Sequence, residues 1–329
     1  MLRHAVLGAV VSGAVVALVA CGSSSSDTPA PTDDGGTDGG TETGSTVPPG
    51  VGMRFVAVGD TGTGTSSAQK VANAIAAKCQ AEGCAFVQLL GDNIYEDGVT
   101  SVDDAQWQSK FEVPFAAVEA DFFVVLGNHD YGGKGEGNEF AKGQFEVDYS
   151  AKSKKWKLPS ASYHHVKGDA ELFALDTNMI VYEKAAQQRT DVAKWLADST
   201  APWKIAFGHH PYLSNGPHGN AGAYDGQTAA PANGEPVKKF FDEVVCGKVD
   251  LYLCGHDHSR QWMNESCKGT ELAVSGAGSK QTGFLGKNAT LFQSMELGFL
   301  YLIVEPKRIT AQFIDENGNV EFTHEIKKP

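Results

Sequence analysis

Five short segments of the chain place a glycine directly before residues that commonly bind metal ions. Their side chains offer carboxylate, amide, imidazole and phenol groups without a thiolate, a set that suits iron, manganese or zinc. Two such ions held close together can bind the oxygens of a phosphate and convert water to hydroxide near neutral pH. The pattern therefore predicts a two-metal site for displacement at phosphorus. The segments are Gly59-Asp60-Thr61-Gly62, Gly91-Asp92-Asn93-Ile94-Tyr95, Gly127-Asn128-His129-Asp130, Gly208-His209-His210-Pro211 and Gly255-His256-Asp257-His258.

Each of these segments follows a short apolar run of the kind that forms a strand buried on both faces. Helices are predicted at about 67–78, 187–198 and 236–245, so strands and helices alternate as in an α/β core. In open α/β sheets the loops at the carboxyl ends of strands converge on one crevice, which would bring the five segments together. The predicted strands are 55–58, 86–90, 122–126, 172–175, 205–207 and 251–254.

Beyond Glu271 the pattern changes to successive strands with short turns. Asn317-Gly318 is a strong hairpin signal between the last two of these strands. We expect these segments to form a second sheet that packs against the first. The predicted strands are 272–274, 299–304, 309–314 and 320–322.

The first fifty residues differ from the rest of the chain. Residues 1–20 have a basic start and a short apolar stretch, as in a secretory signal, and Leu18-Val19-Ala20-Cys21 resembles a bacterial lipobox. An ordinary signal peptide with a chance cysteine is the alternative. The polar residues of the segment 21–50 have little to bury, so this segment is predicted to be a flexible linker. We therefore expect an exported domain at 51–329, tethered through lipid on Cys21 and held in the outer membrane.

The formal net charge of −13 argues against nucleic acid as a partner. Export would permit disulfides. Cys79 could pair with Cys84 across a short turn, and Cys267 could pair with either Cys246 or Cys254.

The ordered set of segments resembles the metallophosphoesterase superfamily, and Tyr95, three residues after Asp92, narrows the resemblance. It matches the iron-bound tyrosine of the purple acid phosphatases, most closely the small, tartrate-resistant type. Lys155-Trp156, Leu175-Asp176-Thr177 and Ser275-Gly276-Ala277-Gly278 also resemble that type. Thr61 departs from it, because the similar enzymes usually carry tryptophan there. The resemblance implies an α/β fold, a four-layer α/β/β/α sandwich of two mixed β-sheets flanked by helices.

The resemblance also implies a site that contains Fe(III) plus a divalent metal, either Fe(II), Zn(II) or Mn(II). His129 would contact the phosphate and protonate the leaving group, and His218 would line the substrate pocket. Asp130 and Asp257 are expected to orient ligands through hydrogen bonds, and His210 to serve packing. The implied metal ligands are Asp60, Tyr95 and His258 for the ferric ion, Asp92 as the bridge, and Asn128, His209 and His256 for the divalent ion.

The function implied by these residues is that of a monomeric acid phosphatase that hydrolyses small-molecule phosphate monoesters with metal-bound hydroxide. An acidic optimum is expected, because His129 must be protonated to act as an acid. Two alternatives remain open at this point: a phosphodiesterase or nucleotide hydrolase on the same fold, and a non-catalytic surface lipoprotein.

Overall fold

The computed structural model describes residues 52–329, which form two seven-stranded mixed sheets flanked by helices. The fold class expected from the sequence is thereby confirmed. The predicted signal peptide (1–20), the lipid-bearing Cys21 and the linker (21–50) lie outside the described residues. Within 52–329 no helix combines the length and apolar character needed to cross a bilayer.

The strands and helices alternate along the first half of the chain, as the sequence pattern predicts. The strands are β1 (Met53–Val58), β2 (Phe86–Leu90), β3 (Asp121–Val125), β4 (Trp156–Lys157), β5 (Tyr163–Lys167), β6 (Ala170–Ala174), β7 (Trp203–Phe207), β8 (Leu251–Cys254), β9 (Arg260–Met263), β10 (Glu271–Ser275), β11 (Thr290–Ser294), β12 (Gly298–Glu305), β13 (Arg308–Asp315) and β14 (Val320–Lys327). The α-helices are α1 (Ser66–Glu82), α2 (Ala141–Tyr149), α3 (Thr177–Val181), α4 (Ala186–Asp198) and α5 (Glu235–Phe240), the last continued by a π-helical turn, Phe241–Val245.

The first sheet has the strand order β14-β13-β12-β1-β2-β3-β4, and the second has the order β11-β9-β10-β8-β7-β6-β5. Strands β1, β2 and β3 are parallel neighbours, as are β6, β7 and β8. The carboxyl ends of each parallel set therefore lie at one edge of its sheet, where ligands bind in α/β folds.

The expectation that the strands beyond Glu271 form a second sheet of their own is wrong. Strand β12 pairs antiparallel with β1, so the β12–β14 meander extends the first sheet, while β10 pairs parallel with β8 in the second. The strand pattern alone does not reveal this division, because it depends on which distant strand offers a free edge.

Apolar side chains from both sheets meet in a common core. Phe55 of β1 stacks on Phe86 of β2 at 4.7 Å between ring centroids and meets Phe207 of β7, in the other sheet, edge-on at 6.1 Å. All three rings are buried. Burial of each such side chain stabilises the fold by about 1.5–3 kcal/mol, so these contacts hold the two sheets, and the loops at their ends, together.

Residues 52–329 contain two disulfides, Cys79–Cys84 at the end of α1 and Cys246–Cys267. The second decides the pairing that the sequence leaves open. Cys254, on β8, is buried and is the free cysteine of the described chain.

Candidate metal centre

The five segments predicted to converge do so at the carboxyl ends of the two sheets. Asp60, Asp92 and Asn128 follow β1, β2 and β3, and the segments with His209 and His256 follow β7 and β8 of the other sheet. Hydrogen bonds join the loops across the two sheets. The backbone N of His256 donates to Asp60 Oδ2 over 3.0 Å, and the Nδ1–H of His209 donates to the Leu90 carbonyl over 2.9 Å.

The first group of ligand atoms contains a phenol, a carboxylate and an imidazole. Tyr95 Oη is 2.9 Å from Asp60 Oδ1 and 3.1 Å from His258 Nε2. The distance between His258 Nε2 and Asp60 Oδ1 is 3.5 Å. Tyr95 and Asp60 are buried, and the imidazole of His258 is nearly so.

The second group lies beside the first. His209 Nε2 is 2.9 Å from Asn128 Oδ1, 3.1 Å from His256 Nδ1 and 3.3 Å from Asp92 Oδ1. The ligand atoms of Asp92, His209 and His256 all lie within 4.8 Å of one another. The charge of Asp92 also raises the pKa of Asp60 and Tyr95, so Asp92 interacts with residues of both groups.

These distances fit two metal ions. Donor atoms bound about 2.1 Å from one cation in near-perpendicular directions are about 3 Å apart, which is the spacing within each group. Two imidazole nitrogens 3.1 Å apart, as in His209 and His256, are also the arrangement expected of ligands to a common cation. The residues present thus fit a binuclear centre with Asp92 as the shared ligand. The seven predicted ligands are all found there.

Burial and neighbouring charges perturb the ionisable groups of this centre. Burial raises the pKa of Asp60 well above its usual value, and the carboxylate of Asp92 adds to this increase. Burial opposes the ionisation of Asp92 too, yet His209 outweighs it and holds the pKa of Asp92 below its usual range. Burial lowers the pKa of His258 to about 4 and that of His256 well below its usual value. Both imidazoles are therefore neutral, the form that binds metal.

Three of the predicted ligands have backbone torsions in the left-handed region, which non-glycine residues seldom adopt. The φ angles are 60° at Asp60, 52° at Asp92 and 70° at His256. Each such conformation costs on the order of 1–3 kcal/mol and persists where the surrounding structure imposes it, commonly at functional sites. The side chains of these three strained residues converge on the candidate metal centre.

Two glycines of the motifs leave room for ligand side chains of neighbouring loops. A Cβ at Gly127 would collide with Asp92 Oδ1 and N, and a Cβ at Gly255 would collide with Asp60 Oδ2. At these two positions glycine is therefore required by the close approach of a neighbouring loop, in agreement with the sequence interpretation.

Asp130 and Asp257 order the loops through hydrogen bonds, as the sequence predicts. Asp130 accepts from the backbone N of Asn93 over 2.8 Å, Ile94 over 3.0 Å and Gly127 over 2.8 Å, which ties the β2 and β3 loops together. Burial raises the pKa of Asp130 to about 7, and the charge of Asp92 contributes.

On the other side of the site, Asp257 Oδ1 accepts from the backbone N of His218 over 2.9 Å. His210 is buried, with Nδ1 2.9 Å from Thr177 Oγ1, which fits its predicted packing role.

His129 and His218 lie at different sides of the centre. The backbone N of His129 donates to Asp92 Oδ1 over 2.9 Å, and its Nδ1–H donates to the Glu96 carbonyl over 2.6 Å. The imidazole of His218 stacks on that of His256 at 4.0 Å between centroids, with Nδ1 2.8 Å from Asp225 Oδ1. His218, His256 and Asn128 line a cleft of about 570 Å³, large enough for a small phosphate ester.

Several residues at the site were not identified from the sequence. They are Glu96, Asp225 and Lys280, whose Nζ lies over the ring of Tyr95. The contacts of Glu96 and Lys280 join loops distant in sequence, and Asp225 lies seven residues after His218; no motif marks these three residues. The one available signal was the position of Lys280, two residues after Ser275-Gly276-Ala277-Gly278.

Comparison with known proteins shows similarity to phosphoesterases. The family described as Calcineurin-like phosphoesterase matches residues 53–260. Tartrate-resistant acid phosphatase type 5 of Oryctolagus cuniculus is 29% identical, over 84% of this chain and 91% of the relative. Purple acid phosphatase 4 of Arabidopsis thaliana is 29% identical, over 71% of each chain. The solved structure of GAP50, described as the anchor in the inner membrane complex of Plasmodium, has a TM-score of 0.69 and 21% identity, covers 85% of this chain and 90% of its own, and shares the fold.

Proposed function

The chain belongs to the calcineurin-like phosphoesterase family, and on this basis we propose that it is an acid phosphatase that hydrolyses small-molecule phosphate monoesters at an Fe(III)–M(II) pair. The observation that carries the proposal is the position of Tyr95. Its phenol oxygen lies within 2.9 Å of Asp60 Oδ1 and 3.1 Å of His258 Nε2, as a ligand to the same cation would. A phenolate ligand favours ferric iron over a plain pair of divalent ions.

The proposed ligand roles follow the two groups of donor atoms. Bound together, the two ions would supply Lewis acidity toward the phosphate oxygens and would activate water for attack on phosphorus. Asp60, Tyr95 and His258 would hold the ferric ion, and Asp92 would be a ligand shared by both ions. Asn128, His209 and His256 would hold the divalent ion, either Fe(II), Zn(II) or Mn(II).

The chain's own residues handle the proton and the substrate. Because Nδ1–H of His129 donates to the Glu96 carbonyl, Nε2 is the nitrogen left to protonate a leaving alkoxide. His218 lines the cleft, where Asp225 accepts from its Nδ1 and fixes its orientation. The cleft accommodates the substrate beside the imidazole of His218.

We place this activity outside the cytoplasm, on a monomer anchored in the outer membrane through lipid on Cys21. The Cys79–Cys84 and Cys246–Cys267 disulfides support export, because such bonds persist in oxidising compartments. Labelling with a radioactive fatty acid, compared between the wild type and Cys21→Ala, tests the anchor. Equal labelling of both proteins would contradict it.

The visible spectrum of oxidised, iron-loaded protein comprising residues 51–329 tests the metal centre. A phenolate bound to ferric iron absorbs visible light by charge transfer, so the protein should be purple to pink. The band should be lost in Tyr95→Phe. A colourless protein with full metal content would contradict the iron–tyrosinate centre.

Turnover of an aryl phosphate and of the matching bis-aryl phosphate tests the substrate class. We expect a larger kcat/KM for the monoester. A preference for the diester would instead identify a phosphodiesterase, and hydrolysis of neither compound by metal-loaded protein would contradict an enzymatic function.

A further inference from the structure

Lys280 lies against the aromatic ring of Tyr95. Its Nζ is 3.6 Å from the centroid of the ring and 3.2 Å from Glu96 Oε1. The side chain of Lys280 is 29% exposed, so most of it is covered by the loops of the candidate metal centre. An ammonium in contact with a ring face is attracted by the π electrons of the ring.

The loop that carries Lys280 is joined to the backbone of two proposed metal ligands. Ser279 Oγ donates to the Asp60 carbonyl over 2.5 Å, and the backbone N of Thr282 donates to the His258 carbonyl over 2.9 Å. The backbone N of Gly278 donates to the Gly59 carbonyl over 3.1 Å. The position of Lys280 is therefore set by the same backbone that positions Asp60 and His258.

The ion pair between Lys280 and Glu96 does not account for this placement by itself. The side chain of Glu96 is 68% exposed, and exposed ion pairs contribute little to stability. The contact with the ring of Tyr95 is the more buried of the two, because Tyr95 is 1% exposed. It thus has the larger electrostatic effect, since less water screens it.

We propose that Lys280 is a positioning residue that sets how strongly the phenolate of Tyr95 donates electrons to a bound ferric ion. This inference rests on the iron–tyrosinate centre of the proposed function. A positive charge at the ring face stabilises the filled orbitals of the phenolate. Because the ammonium is nearest to the ring, it stabilises these donor orbitals more than the acceptor orbitals of an ion bound beyond the phenol oxygen. Lys280 thereby raises the energy of charge transfer from Tyr95.

The test is the wavelength of the charge-transfer band in oxidised protein with full iron content. We expect Lys280→Met to move the band to longer wavelength, by on the order of ten nanometres. Lys280→Arg retains a cation and should stay near the wild-type wavelength. Lys287→Met, which removes an exposed lysine of the same loop, is the matched control and should show no shift. Lys280→Gln, neutral and polar, repeats the test if the methionine variant is unstable.

The outcomes separate this inference from the proposed function. A wild-type protein that lacks the band at full iron content overturns the iron–tyrosinate centre and the inference together. A band present in every variant, with the same wavelength in Lys280→Met and Lys280→Gln as in the wild type, overturns the inference alone. Equal shifts in Lys280→Arg and Lys280→Met would also overturn it, because the effect would then not follow the charge.

Discussion

Hydrogen bonds at this site fix the imidazole of His129 and leave its Nε2 free to donate a proton. In His129 the backbone N donates to Asp92 and Nδ1–H donates to the Glu96 carbonyl, so both the position of the ring and its tautomer are determined. Because the acceptor is a backbone carbonyl, a substitution of the side chain at position 96 would not remove this hydrogen bond. Loss of the free Nε2 of His129 should therefore lower the catalytic rate.

We expect His129→Ala to lower kcat by roughly 10²–10⁴-fold on an alkyl phosphate, because the poor leaving group needs a proton. The loss should be much smaller on 4-nitrophenyl phosphate, whose leaving group departs readily without one. Steady-state kinetics on both substrates measures the difference, with metal content determined in parallel. His324→Asn, which removes an imidazole on β14 that pairs with Glu271, is the control. Equal losses on the two substrates would contradict the acid role.

At the scale of the elements, the loops after the parallel strands matter more than the strands themselves. Gly127 begins the loop after β3 and lies against Asp92, which belongs to the loop after β2. Asp130, three residues on, accepts hydrogen bonds from the β2 loop as well as from Gly127 itself. These contacts connect the two loops at the carboxylate proposed to be shared by both metal ions.

We predict that Gly127→Ala displaces the carboxylate of Asp92 and weakens metal binding at least tenfold, since a Cβ there meets Asp92 Oδ1 and N. Gly283→Ala is the matched control, because the nearest atom to its added Cβ is Met295 Sδ at 3.9 Å, an ordinary contact. Competition with a chelator, followed by measurement of the retained metal, compares the two variants. Retention equal to that of the wild type in Gly127→Ala would contradict the prediction.

Many of the strands and helices could be predicted from the sequence. The others could not, because they depend on contacts between residues distant in sequence. Strands β2 and β8 have the predicted bounds, because each is a short, mainly apolar run that ends at a glycine, and this length favours a strand over a helix. Strand β9 was missed, since its buried residues include Arg260 and Gln261, which are paired by contacts distant in sequence. The prediction that β12 belongs to a second sheet was wrong for the same reason, because β12 pairs with the distant strand β1.

Some features of the candidate site could likewise be predicted from the sequence, and others could not. Its proposed ligands lie within local motifs, so residue type and spacing indicated the loops, and the resemblance to the purple acid phosphatases indicated which residues of these loops are ligands. The left-handed backbone of Asp60 and the ring contact of Lys280 depend on the folded loops, and no local pattern encodes them.

For the whole molecule, the interface between the sheets determines how the fold responds to acid. His165 of β5, in the second sheet, stacks on Phe123 of β3, in the first, at 4.1 Å between centroids. It also meets the ring of Phe86 edge-on at 6.2 Å. Neither ring nitrogen of His165 has a hydrogen-bond partner among residues 52–329. Protonation would therefore place an unpaired charge between the sheets.

Burial lowers the pKa of His165 from 6.5 to about 4, and the neighbouring Lys167 adds to the effect. Between these two values the unfolded chain binds a proton that the folded chain does not, so the free energy of unfolding decreases as the pH falls through this window. The difference in pKa corresponds to at most about 3 kcal/mol. We expect His165→Leu, which has a similar volume, to reduce this acid sensitivity. Urea unfolding at pH 4.5, 6.5 and 8 measures this acid sensitivity. The free energy of unfolding of the variant should decrease less than that of the wild type from pH 6.5 to 4.5. From pH 8 to 6.5 the free energies of unfolding of the two proteins should change in parallel. Equal losses from pH 6.5 to 4.5 would show that His165 titrates alike in the folded and unfolded chains.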